Sequence, residues 1–137
     1  MNTSDRQATM RDLWQIAAIV AAIGLVLLCG CELSEPSAGY FGDAELVPMC
    51  DTATASLESQ FGCRLKNPVY VAWAGLSMYR HGNLSIREDL RGQPGAAVHV
   101  RHECGHALAD GNPTSGGGHP DTINGVTAAG VLPAWSD

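Results

Sequence analysis

Apolar residues recur at helical spacing in the segment after Gly95, and this pattern predicts the helix around which the chain is organised. Residues three, four or seven positions apart share one face of an α-helix. The apolar residues that follow this spacing are Ala97, Val100, Cys104, Ala107 and Leu108. Pro94 and Gly95 break the chain before this segment, and Gly111 follows it. We therefore expect a helix between these breaks, with one face buried.

A second helix is predicted upstream, and irregular structure downstream. Pro48 precedes the run 49–61 and Gly62 follows it, which is typical of a helix with proline in its first turn and a glycine stop. Residues 112–118 contain proline, serine and three glycines and are expected to be flexible. Residues 121–135 are ambiguous between a weak helix and a loop.

Two strands are predicted between the helices. Residues 67–74 are rich in Val, Tyr and Trp and are led in by Pro68, which favours a strand. Residues 75–83 are expected to form a connector, and the alternating residues 84–87 predict a shorter strand. This order of elements predicts an α+β domain with an N-terminal helix, a short antiparallel or mixed sheet and a final helix.

The N-terminal region contains an uncharged apolar run of 13 residues, 16–28. A membrane-spanning helix needs about 20 such residues, so the run is more typical of the hydrophobic part of a signal peptide. An uncleaved single membrane helix that begins near Leu13 is the alternative. Either interpretation predicts a protein that is exported and tethered to a membrane.

The residues after this run, Leu28-Cys29-Gly30-Cys31, resemble the bacterial lipobox. Cys31 matches the acceptor, whereas Cys29 as acceptor would put Leu28 at the position before it, where a small residue is expected. The resemblance implies a lipoprotein signal peptide over 1–30 and a lipid on Cys31, which anchors the protein to the bacterial cell membrane or outer membrane. Residues 31–43 are then expected to form a tether, and residues 44–137 are expected to form the folded domain.

The length and charge of the chain bear on its domain count and its partners. The chain has 137 residues, a length that favours a single domain. Its 8 basic and 14 acidic side chains give a net charge of −6, which argues against a nucleic-acid partner.

Cys50 and Cys63 bracket the first helix and would lie roughly 18 Å apart on a straight helix. This separation excludes a disulfide between them, because disulfides need Cα atoms within about 7 Å. Cys104 is expected to be a buried thiol, and a bridge to Cys63 or Cys50 is the alternative.

The predicted final helix carries the motif His102-Glu103-Cys104-Gly105-His106, an HExxH sequence. Histidines four positions apart lie on one helical face, so that both imidazoles can reach one metal ion. Glu103 lies beside them, where its carboxylate can take a proton from water at the metal. This pattern is typical of zinc peptidases. It predicts a Zn²⁺ site, Glu103 as general base, and a peptide or protein substrate.

The third metal ligand is found by elimination, because a catalytic zinc usually has three protein ligands. Glu103 is the last glutamate of the chain, so the downstream glutamate of thermolysin-like enzymes is absent. The metzincin pattern needs Gly at position 109 and His or Asp at 112, and Ala109 and Asn112 stand there. His119 remains as the expected third ligand. Asp121 is the alternative ligand, or else an acceptor for an imidazole N–H.

The spacing of this set is similar to that of SprT-like metallopeptidases, in which an HExxH helix is followed at a comparable distance by a third histidine. The resemblance covers 18 residues, 102–119, with twelve residues between His106 and His119. It implies a zincin-like domain with His102, His106 and His119 as ligands. Pro120-Asp121 stands where that family usually has an aromatic residue, and the family's DNA-linked substrates are not implied for this chain.

The sequence therefore predicts a membrane-anchored zinc metallopeptidase, and a non-catalytic zinc-binding lipoprotein with a structural metal site is the alternative. Two further residues of the helix are expected near the site. His99 is about 10 Å along the axis from His106, so it is expected at the rim of the site or in support of a metal ligand. Asp110 should either orient His106 or be exposed. The candidates for stabilising an oxyanion are Tyr70, Tyr79, Arg80 and His81.

Overall fold

The computed structural model describes residues 35–132 and, before them, Gln15. The chain divides into two units, residues 1–35 and 36–137, and the fold described below belongs to the second. Apart from Gln15, the predicted signal peptide, the lipidation site Cys31 and the alternative membrane helix from Leu13 lie outside the described residues. Within the described part of the chain, every helix is too short or too polar to cross a bilayer.

The described part of the chain forms two helices and two sheets, which confirms the α+β class. A 3₁₀ turn, Glu88–Leu90, precedes the second helix. The elements in chain order are β1 (Tyr40–Gly42), α1 (Leu46–Phe61), β2 (Val69–Ala74), β3 (Met78–Arg80), β4 (Asn83–Arg87), α2 (Gly95–Ala109), β5 (Thr114–Gly116), β6 (Pro120–Ile123) and β7 (Val126–Thr127).

The first sheet is mixed and has the strand order β1-β2-β4-β3. Strand β2 pairs in parallel with both β1 and β4, whereas β3 and β4 are antiparallel. Its buried side chains alternate along the two central strands, as expected where only one face of a sheet is covered. They are Val69, Val71, Leu84 and Ile86.

Both edge strands of this sheet were missed by the sequence interpretation. Residues 40–42 fall within the predicted tether 31–43, but they pair with β2, so the structured part of the chain begins earlier than predicted. Residues 78–80 fall within the predicted connector 75–83. Three-residue strands carry little periodicity of their own, and here they form because β2 and β4 offer them partners.

Helix α1 begins and ends at identifiable local signals. The Asp43 carboxylate accepts hydrogen bonds from the backbone N–H groups of Glu45 and Leu46, at 2.9 and 3.0 Å, which satisfies donors that a helix start leaves unpaired. The helix starts two residues before Pro48, which lies in its first turn as predicted. It stops after Phe61 because Gly62 adopts a left-handed conformation with φ of 65°, and this predicted stop is confirmed.

The core lies where the two helices pack on each other and on the first sheet. Cys104 of α2 is fully buried, and its Sγ lies 3.9 Å from the carbonyl oxygen of Cys50 on α1. Cys50, Cys63 and Cys104 are free thiols, so the expected buried thiol at Cys104 is confirmed. The prediction of the apolar face was wrong at one position, because Ala97 is exposed and its neighbour Ala96 is buried instead.

The second sheet is an antiparallel arrangement of β5, β6 and β7. Residues 112–118 were predicted to be flexible, but residues 114–116 form strand β5. The start of 121–135, which was ambiguous between helix and loop, belongs to strand β6. Asn124 and Gly125 form the two-residue turn between β6 and β7, with φ of 51° and 77°, as a type I′ hairpin turn requires. The Asn-Gly pair between Ile123 and Val126 is a hairpin signal that the sequence interpretation overlooked.

Candidate metal site

Helix α2 places His102 and His106 on the same face, one turn apart. Their ring centroids are 5.1 Å from each other, and both residues are half-buried. The opposite face of the helix is anchored in the core by Val100, Cys104 and Leu108. Because the core face is fixed by packing, the histidine face is held in one orientation towards the second sheet.

The β5–β6 hairpin carries His119 at its turn. The pairing of the two strands shifts register between Ser115 and Gly116, and Gly116 has a φ of 96°. A Cβ atom at Gly116 would lie 2.8 Å from the backbone nitrogen of Asp121, so that this bulge needs glycine. The bulge and the following Gly117-Gly118 let the chain reverse directly before His119.

Side-chain amides attach the hairpin to the helix ends. The Asn112 Nδ2 group donates to the carbonyl oxygens of Leu108 and Arg64, at 2.7 and 2.8 Å. The Asn124 Nδ2 group donates to the carbonyl oxygen of Phe61 at 2.8 Å, at the end of α1. The bonds to Leu108 and Phe61 satisfy carbonyl groups that helix ends leave unpaired, and all three bonds position the hairpin beside α2.

Three histidines converge where the hairpin meets the helix. The ring centroid of His119 lies 5.1 Å from that of His102 and 5.0 Å from that of His106. The Nε2 atoms of His119 and His102 are 3.2 Å apart. Tetrahedral zinc with bonds to nitrogen of about 2.0–2.1 Å separates its ligand atoms by about 3.3 Å. His102, His106 and His119 therefore form a candidate metal site, whose donor atoms all lie within 4.8 Å of one another.

The two expected third ligands occupy different places in the structure. His119 joins the histidine pair of α2, whereas Asp121 is exposed on β6 with its carboxylate beside the bulge at Gly116. Among the described residues, the converging donor set consists of the three histidines. The geometry thus favours His119 over Asp121.

Burial sets the electrostatics of the site. It lowers the pKa of His106 to about 4, with further lowering by the nearby His102 and His119, so His106 is neutral at pH 7, the form that binds metal. Glu103 is 7% exposed, and this burial raises its pKa to about 7 although the nearby backbone of Tyr79 lowers it. Glu103 thus has a perturbed pKa and lies in the same cavity lining as His102, a combination that marks a candidate functional residue.

A cavity of about 310 Å³ opens beside His102 and Glu103. Its other lining residues come from the β2–β3 loop, the end of β4 and the first half of α2. They are Leu76, Ser77, Arg87, Val98 and His99. His99 is therefore at the rim of the site, as predicted, and its Nδ1 atom lies 3.0 Å from the Ser77 hydroxyl. Sequence reasoning missed the residues of the loop and the strand, because no local pattern relates them to the helix.

The remaining predicted site residues are distributed around this region. Asp110 accepts a hydrogen bond from the Tyr79 hydroxyl at 2.6 Å. Tyr70 lies on β2 with its ring against Phe41, at a centroid distance of 5.6 Å. Arg80 and His81 are exposed at the end of β3 and in the turn after it. Of the four oxyanion candidates, Tyr79 is the one whose backbone contacts Glu103.

Comparisons of the chain with protein-family models, with curated proteins and with solved structures found no match.

Proposed function

We propose that this protein is a membrane-anchored, zinc-dependent metallopeptidase. The observation that carries the proposal is the convergence of His119 with His102 and His106 beside the buried Glu103. Two histidines one turn apart follow from any helix with this spacing. The third histidine comes from a separate sheet, and its arrival at the same point supports a metal site.

The donor set fits zinc in both number and chemistry. Three imidazole nitrogens within 4.8 Å of one another match the ligand count of catalytic zinc, which keeps a further position open. The exposure of His119 leaves this side of the site accessible to solvent. A zinc ion held there supplies a Lewis acid that polarises a carbonyl group and lowers the pKa of water to about 7.

Glu103 acts as the general base in this proposal. Its carboxylate accepts a proton from the attacking water and returns it to the amine that leaves when the peptide bond breaks. A structural metal site does not need such a base. The near-complete burial of Glu103 next to His102 thus favours the peptidase over the non-catalytic zinc-binding alternative.

A peptide substrate is supported by the position of strand β3. This strand forms one edge of the first sheet, and the backbone of its central residue, Tyr79, lies close enough to Glu103 to affect the pKa of that carboxyl. An extended peptide can add to the edge of a sheet through main-chain hydrogen bonds. A peptide placed along β3 would pass Glu103 and the three histidines.

The membrane anchor is proposed from the N-terminal sequence. A lipid on Cys31 would hold the exported domain at the bacterial cell membrane or outer membrane. Mass spectrometry of the N-terminal peptide should find that the wild type begins at Cys31 and carries lipid mass there, that Cys29→Ser does the same, and that Cys31→Ser carries no lipid. A wild type that keeps residues 1–30 and carries no lipid would support the single membrane helix instead.

The decisive test is zinc content together with peptide hydrolysis. Full-length protein in detergent should hold about one zinc per chain by elemental mass spectrometry and should cleave a mixed peptide library. Glu103→Gln should keep the zinc and lose hydrolysis by a factor on the order of 10² to 10⁴. Unchanged hydrolysis in Glu103→Gln would contradict the mechanism. Zinc without hydrolysis in the wild type, with unfolding on chelation, would establish the structural-site alternative.

A further inference from the structure

The cavity beside the histidines is lined by polar side chains that already bond one another. The Ser77 hydroxyl lies 3.0 Å from His99 Nδ1 and accepts the backbone N–H of Arg87, also at 3.0 Å. The Arg87 guanidinium donates to both carboxylate oxygens of Asp89. The charge of Arg87 is therefore compensated within the protein, and these groups have partners before any ligand enters.

Two apolar side chains in the same lining are left exposed to solvent. Leu76 is 60% exposed and Val98 is 56% exposed. Single exposed aliphatic residues are normal on protein surfaces, so the informative feature is that these two line the same cavity. They come from different elements, since Leu76 lies in the β2–β3 loop and Val98 lies one turn before His102 on α2. Among the described residues, six large hydrophobic side chains are exposed, and these two line one cavity.

We propose that this cavity binds an apolar side chain of the substrate next to the bond that is cleaved, and that Leu76 and Val98 determine this preference. The proposal rests on the peptidase function proposed above and adds the substrate class. The volume of about 310 Å³ is at the lower end of the range for small-molecule pockets. It suits one leucine- or phenylalanine-sized side chain with its adjacent backbone. His102 and Glu103 in the same lining place that side chain beside the reacting groups.

The test compares two peptide hydroxamates on zinc-loaded full-length protein by calorimetry. The two compounds differ only in the side chain next to the hydroxamate, which is leucine in one and aspartate in the other. Burial of one leucine side chain should make the leucine compound bind about tenfold or more tightly. In Leu76→Ser and Val98→Ser this ratio should fall towards one while zinc content stays unchanged, and in Val98→Ile it should be retained.

Phe41→Ser provides the matched control, because Phe41 is 55% exposed but lies on β1, outside the cavity lining. It should keep the wild-type ratio. Equal binding of the two compounds to the wild type, or a ratio that does not respond to Leu76→Ser and Val98→Ser, would overturn the subsite. A leucine preference in a protein that cleaves no peptide would establish the subsite and refute the hydrolysis. If the zinc-loaded protein binds neither compound, both proposals are wrong.

Discussion

The Tyr79 hydroxyl donates a hydrogen bond of 2.6 Å to the Asp110 carboxylate and so joins strand β3 to the C-terminal end of helix α2. The backbone of the same tyrosine lies close enough to Glu103 on that helix to lower the pKa of the carboxyl, against the larger effect of burial. Burial, together with the bond to Asp110, raises the pKa of Tyr79 to about 12, so its hydroxyl remains a donor at neutral pH. One residue of β3 thus sets the distance between the sheet edge and the helix that carries two of the histidines.

Removing this hydroxyl should loosen β3 without removing the metal ligands. We expect Tyr79→Phe to lower the free energy of unfolding by about 1 kcal/mol, because a partly buried hydrogen bond to a carboxylate is lost, while zinc content stays the same. Urea unfolding measures the effect. Tyr70→Phe is the control, since it deletes the same atom from an exposed tyrosine on β2. Equal destabilisation by both variants would contradict the structural role of the Tyr79–Asp110 bond.

The identity of the third ligand can be tested directly. His119→Ala should sharply lower zinc affinity, because the remaining pair on α2 offers two donors in place of three. Asp121→Ala, two residues further along the same hairpin, should bind zinc as the wild type does. Competition with a chromogenic chelator measures both affinities. Loss of zinc in Asp121→Ala with retention in His119→Ala would reverse the assignment.

The bulge before His119 should matter for zinc affinity although it contributes no ligand. A side chain at Gly116 would clash with the backbone of Asp121, and its φ of 96° is strained for alanine. Gly116→Ala should therefore displace the hairpin and weaken zinc binding, with circular dichroism that shows both helices intact. Gly117→Ala is the matched control, since a Cβ there meets nothing within 4 Å. If the two variants bind zinc equally, the bulge does not position His119.

The Asp43 carboxylate at the start of helix α1 should make the stability of the folded protein depend on pH in the acid range. Hydrogen bonds from the N–H groups of Leu46 and Glu45 hold the pKa of Asp43 below its ordinary value. Protonation therefore favours the unfolded chain, so that the stabilisation is complete above the unfolded pKa of about 4 and is lost as the pH falls through the lower, folded value. Thermal unfolding should show Asp43→Ala less stable than the wild type at pH 7, with the difference disappearing in acid.

The control for this titration keeps the cap but removes the charge. Asn caps helices as well as Asp does, so Asp43→Asn should remain close to the wild type at pH 7 and should lack the acid-dependent loss. An identical acid response in Asp43→Asn and the wild type would show that other carboxylates dominate it.

The three thiols of the domain should differ in reactivity. Cys50 and Cys104 are fully buried, whereas Cys63 is half-buried. We expect iodoacetamide to label Cys63 in the folded protein, slowly because burial and the nearby Glu58 raise its pKa, and to label the other two after unfolding. Mass spectrometry of the digested protein measures this order. A peptide that links Cys50 to Cys104 would show instead that the pair is oxidised.

Features that depend on neighbouring residues were predictable from the sequence. The stop of α1 at Gly62 follows from the left-handed conformation that glycine permits. The common face of His102 and His106 follows from the rise and turn of a helix, which fix the relation between residues four apart wherever that helix lies. The strand over 69–74 and the α+β class follow from local composition and order.

The expectation of His119 rather than Asp121 as third ligand came from elimination and spacing, but neither shows that His119 meets the helix. That meeting depends on the bulge at Gly116 and on anchors such as the bond from Asn124 to Phe61, which joins residues 63 positions apart. The strands β1 and β3 form only because β2 and β4 lie beside them. The cavity exists where Leu76 and Val98 approach from separate elements.

The sequence by itself therefore determined which residues could bind a metal, because helical spacing and side-chain chemistry are local. Only the tertiary structure decided which of them meet. The position of the third histidine relative to the helix depends on every backbone angle between them and on hydrogen bonds between residues far apart in the chain. No short stretch of sequence specifies these contacts.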